Sequence, residues 1–203
     1  MSRTGCLGRL FWLPAALLGA GRKPAALPQR GLTPAERDAL LGARRTAESI
    51  TKRLLAAGRS VSPLVLDQIG GSTSGLAEAI DQMGLQLAET RAWLARNDPD
   101  QLNRQLTELE LESGPGVADR ARTMRLLREK ARKASQIRAE LPAMSARMRA
   151  LAAELGALDA RLTQDSLRDD IEQTTAAAAR QREEAERSLA AWSATVDELR
   201  ALS

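Results

Sequence analysis

The sequence predicts an all-α protein, an elongated antiparallel helical bundle or coiled-coil hairpin of about five helices. Three observations carry this. Ala, Leu, Arg and Glu dominate while aromatic residues make up 2% of the chain and Tyr is absent, which is the composition of long helices rather than of a core built on large rings. A short polar residue followed by Pro recurs at intervals, the signature of a helix start. Between these starts, apolar residues return in alternating steps of three and four, which lays them along one helical face.

The first 31 residues form an apolar segment followed by a basic spacer containing Pro24 and Pro28. Its uninterrupted part, Leu10 to Gly21, would extend about 18 Å as a helix, against roughly 30 Å for a bilayer core. It has no polar face, which argues against a helix lying flat on a membrane. Its length suits a signal-peptide hydrophobic region, yet Leu18-Gly19-Ala20 puts a large residue where a cleavage site prefers a small one, and Arg22-Lys23 follow directly. Positive charge beside an apolar segment favours the cytoplasmic side. The reading is a short membrane-inserted tail, with Leu10, Phe11, Trp12, Leu13, Leu17 and Leu18 as the membrane-contacting residues. An exported chain, with residues 1–20 as its signal, is the alternative, and a disordered or self-packed terminus is a third. Cys6 could carry an acyl group that strengthens a short anchor.

Residues 32–203 are expected to form the helical body. Thr33-Pro34-Ala35-Glu36 sets Thr at the N-cap, Pro in the first turn and Glu at the capping-box position, so a helix is expected over about 34–58. Ser62-Pro63 opens the next, about 63–96. That helix contains the stretch GGSTSG at 70–75, but Ile69, Thr73, Leu76, Ile80, Met83, Leu87, Thr90 and Leu94 hold phase straight through it. A flexible linker has no reason to keep phase, and a phosphate-binding loop would need a Gly-Lys-Ser/Thr ending, so a continuous helix is predicted. Asn97-Asp98-Pro99 starts a third helix, about 99–112, and Ser113-Gly114-Pro115-Gly116 breaks the chain after it.

The fourth helix, about 117–164, has the most regular pattern. Ile137, Leu141, Met144, Met148, Leu151, Leu155, Leu158 and Leu162 follow steps of four and three without a fault, a coiled-coil seam. Pro142 lies inside it and should remove one backbone hydrogen bond and bend the helix. A fifth helix, about 166–202, would fold back on the fourth as an antiparallel hairpin. Its Ala-rich stretch, Thr174 to Ala179, is the expected docking place for a partner helix. Trp93 and Trp192 are expected to be exposed, packed at helix boundaries.

Charge is distributed in blocks. Residues 120–149 hold ten Lys or Arg against Glu129 and Glu140, whereas residues 98–112 and 165–203 each carry a net charge of −4. The favoured reading is a basic helix flank paired with acidic neighbours. The competing one is a patch for anionic membrane or nucleic acid, for which Arg122, Arg125 and Arg132 are the candidates. Aromatic residues for base stacking are missing from the stretch.

The absence of His removes the commonest general base and metal ligand and excludes zinc sites built from Cys and His. Neither SxxK nor GxSxG appears with a supporting context. No catalytic residue, metal or cofactor is therefore expected, and no small-molecule substrate. The order of parts, an apolar N-terminus followed by long antiparallel helices, resembles that of membrane-remodelling coiled-coil proteins such as the phage-shock family. No residue role follows from that resemblance. The expected function is a non-enzymatic scaffold or adaptor on the cytoplasmic side of a membrane, acting through helix contacts with a protein partner or a second copy. The alternative is a basic helical binder of anionic membrane or nucleic acid.

Overall fold

The computed structural model describes residues 31–57, 62–111, 117–163 and 171–201. Those residues form five helices in an all-α bundle: α1 (Pro34–Ala57), α2 (Pro63–Arg96), α3 (Pro99–Leu111), α4 (Val117–Thr163) and α5 (Ile171–Ala201). The six apolar candidates for membrane contact, Cys6 and the breaker at 113–116 lie outside the described residues, as does the expected start of the fifth helix. No described helix is long and apolar enough to cross a membrane.

The helix starts follow the chemistry of their first turns. At α1 the Thr33 amide donates to Glu36 Oε2 at 2.7 Å and the Glu36 amide donates to Thr33 Oγ1 at 3.3 Å, the reciprocal capping box. At α3 the Asp100 amide donates to Asp98 Oδ1 at 2.9 Å. α2 starts on Pro63 without a side-chain cap and runs unbroken through the glycines. Ile69, Thr73, Leu76, Ile80, Met83, Leu87 and Thr90 are all buried, and Leu94 is half-buried. α4 likewise continues through Pro142.

One contiguous apolar cluster links all five helices. The central elements are α2 and α4, which touch each other and are both flanked by α1 on one side and α5 on another; α3 covers the front half of α4. Side-chain contacts give the directions. Glu36 meets Ser145 and Asp159 meets Arg53, so α1 runs parallel to α4. Leu40 faces Gly84 and Arg44 meets Asp81, so α1 and α2 are antiparallel. Arg147 meets Glu184 and Lys133 meets Glu198, so α5 runs antiparallel to α4. Glu110 meets Arg128 and Asp100 meets Arg138, so α3 is antiparallel to α4 as well.

The α4 seam is spent inside the chain. Ile137, Met144, Met148, Leu151, Leu155, Leu158 and Leu162 are buried, and Leu141 is half-buried. The helix that receives α5 differs from the hairpin expectation. α4 and α5 are antiparallel neighbours, but α5 makes its largest contact with α2 and only a thin one with α4. The reason is side-chain size. Thr174, Ala178 and Ala185 on α5 are buried, and Gly75 of α2 leaves room for the Arg182 side chain above it, so small residues let the α5 backbone approach α2.

Two further expectations are corrected by the same packing. The seam positions of the Ala-rich stretch of α5 are not exposed for a partner helix, because Thr174 and Ala178 face the core. Trp93 and Trp192 are buried rather than exposed. Each stands on the inward stripe of its helix, Trp93 one turn after the buried Thr90 and Trp192 two turns after the buried Ala185.

Candidate functional site

The basic block of α4 divides by helical face. Four of its cations are spent on acids of α3 and α5. Arg128 meets Glu110 at 2.6 Å, Arg138 meets Asp100 at 2.9 Å and Asp98 at 3.7 Å, Arg147 meets Glu184 at 2.5 Å, and Lys133 pairs with Glu198. The hydrogen bond and charge of Arg138 lower the pKa of Asp100, and Asp100 in turn raises that of Arg138. These pairs are the α3 and α5 partners that the block arithmetic calls for.

Arg122, Arg125 and Arg132 lie on the other side. All three are exposed, and none makes an ion pair with a described residue. With the exposed Glu129 between Arg125 and Arg132, they begin a line that continues as Gln136, Ala139, Ala143, Ala146, Ala150, Ala153, Ala157 and Ala160, every one of them exposed. The steps are again four and three, in a phase opposite to the buried seam. Arg149 and Arg161, both exposed, flank this line. Between Arg122 and Arg161 the one exposed acid is Glu129. α4 therefore shows solvent a face with arginines gathered at 122–132 and a line of alanine from Ala139 onward, flanked by Arg149 and Arg161, and among the described residues no helix covers it.

Sequence reading picked out the three arginines but missed the rest of this face. The signal was present as a second heptad phase, but alanine in a helix reads as propensity filler. Only once the leucine seam is known to face inward does the opposite alanine line become a surface.

A second cluster ties the helices together at mid-height. Glu36 is fully buried and holds two bonds from Arg91, one of them to Oε1 at 2.6 Å, and one from the Ser145 hydroxyl at 2.5 Å. Burial pushes its pKa up, but Arg91, Ser145 and both groups of Thr33 outweigh that and hold it at about 2. Arg91 also donates to the Gly31 carbonyl at 2.8 Å. Gly31 has φ +89°, with the Ala88 backbone 3.0 Å from where a Cβ would sit, so this entry to α1 requires glycine. The cluster is a structural joint; its carboxylate is saturated by donors and its geometry offers no free acid or base.

The loosely packed α4–α5 edge opens into a groove of about 320 Å³, lined by Met83, Met144, Trp192, Ala143, Ala191 and rim residues including Glu140 and Arg147. Its charges are engaged locally, Arg147 with Glu184 and Glu140 with Gln136 at 2.9 Å. Among the described residues, no group of three or more His, Cys, Asp or Glu is placed to hold a metal. No protein-family model, curated protein or solved structure matches the chain.

Proposed function

We propose that the protein is a non-enzymatic helical scaffold or adaptor, held at a membrane by its apolar N-terminal segment and working through contacts along its helical body. The observation that carries this reading is the contrast between the two phases of α4. One is consumed by the bundle, while the other presents an uncovered face about 60 Å long, by rise per residue. Such a face suits recognition of an extended surface better than enclosure of a small substrate. The coiled-coil seam then builds the rod, and external partners meet the outward faces.

The tether part is tested in the intact chain. Leu13→Glu with Leu17→Glu places two charges in the apolar segment, each costing a few kcal/mol in a membrane interior. Fractionation should move this variant from the membrane pellet to the supernatant while its helical content stays unchanged. Mass analysis of the N-terminus distinguishes a retained tail from a cleaved signal. Equal distribution of both proteins between fractions rejects the tether.

A further inference from the structure

We propose that the outward face of α4, from Arg122 to Arg161, lies against an anionic lipid bilayer. Charge complementarity is the first argument. Arg122, Arg125, Arg132, Arg149 and Arg161 are exposed along this face with Glu129 as its one exposed acid, whereas Arg128, Lys133, Arg138 and Arg147 are already paired with acids beside them on the α3 and α5 sides. The second is shape. From Ala139 to Ala160 the outward line is alanine, so over that length no bulky side chain holds the helix away from a flat surface, and long arginine stems on either side of it can reach headgroup phosphates.

The bilayer is favoured over a nucleic acid. The exposed positions of this face carry no aromatic residue on which a base could stack. The exit of the N-terminal chain supplies the third argument and rests on the tether reading above. Gly31 is held beside Arg91, which shares Glu36 with Ser145. The tail therefore joins the body level with the middle of α4, between Arg132 and Arg149. Residues 22–30 can extend about 30 Å from that point.

The test uses the full chain, with vesicles of phosphatidylcholine alone and with about 30% phosphatidylglycerol as an added anionic lipid, at about 50 and 500 mM salt. Arg122→Gln, Arg125→Gln and Arg132→Gln are combined in one variant. Arg45→Gln, Arg180→Gln and Arg187→Gln, exposed on α1 and α5, form a charge-matched control. The α4 variant should lose roughly 10- to 100-fold in affinity for the anionic vesicles at low salt, and the control less than about 3-fold. Equal losses in both variants, or none in either, overturn the proposal. So does a loss of duplex or single-stranded DNA binding by the α4 variant with vesicle binding intact. The tether fails separately, if the unsubstituted chain does not sediment with neutral vesicles at high salt while its salt-sensitive anionic binding persists.

Discussion

Replacing Glu36 by Gln should be the most destabilising single polar substitution in the bundle, and its cost should depend on pH. The carboxyl titrates at about 2 in the folded chain against a reference of 4.5. Because the folded value is the lower one, the ionised form stabilises the fold, fully above the unfolded pKa, and the contribution disappears as pH falls toward 2. The shift corresponds to about 3 kcal/mol at neutral pH, of which about 2 kcal/mol is gone by pH 3. The amide that replaces the carboxylate retains its shape and one acceptor, but it leaves Arg91, with 24% of its side chain exposed, without the counter-charge whose hydrogen bond is the leading cause lowering this pKa. Urea unfolding followed by far-UV circular dichroism at pH 7, 5, 4 and 3 measures the difference between the two proteins. The gap should be about 3 kcal/mol at pH 7 and should close to about 1 kcal/mol at pH 3. A gap independent of pH, or one below about 0.5 kcal/mol throughout, would refute the assignment of Glu36 as an ionised joint.

Glycines in α2 should respond oppositely to alanine. Gly71→Ala meets nothing within 4 Å and should raise stability by about 0.5–1 kcal/mol through helix propensity alone. Gly84→Ala would put a Cβ 2.6 Å from Leu40 Cδ1, a side chain with no exposed surface, and should lower it by about 1–2 kcal/mol after the propensity gain. Denaturant midpoints of the pair check both signs. Pro142 is exposed within α4, so Pro142→Ala, which restores a backbone donor without disturbing the core, should raise the melting temperature. Met148→Ala removes a fully buried side chain of the seam and should cost about 2–5 kcal/mol, whereas Ala150→Ser on the exposed face should change stability by less than about 0.5 kcal/mol.

The helices were legible because their determinants are local. Thr33-Pro34-Ala35-Glu36 contains both halves of a capping box, and the structure forms both of its hydrogen bonds. Phase across GGSTSG predicted an unbroken α2 for the same reason, since each residue there reports only its own turn. The pairing of helices was less legible. A seam of leucines states that one face will be buried but is indifferent to which apolar face receives it. What directs α5 to α2 is the match of Gly75 with Arg182 and the small residues Thr174 and Ala178, a property of two segments far apart in the chain. The buried tryptophans follow from the same non-local choice. The joint at Glu36 needed three helices at once, and only its capping half could be read from the chain.

The charge blocks show why a sum over a segment could not separate the two readings of the basic stretch. Complementary totals imply pairing, and pairing is found at Arg128, Lys133, Arg138 and Arg147. Yet a helix turns through a full circle in about 3.6 residues, so a block of ten cations must be shared among several faces. Those on the flanks reach α3 and α5; those opposite the seam face away from both, whatever the total. The informative quantity is the charge of each face after its neighbours are assigned. By that measure exposed α4 is basic, whereas exposed α5 sets Glu183, Glu184, Glu186, Asp197 and Glu198 against Arg180, Arg182 and Arg187. A net charge of +4 therefore conceals a polarised body, and attraction to an anionic surface would orient it as well as hold it. Moving the arginines of α4 to the exposed side of α5 at constant net charge should consequently weaken oriented binding, although a model based on total charge expects no change.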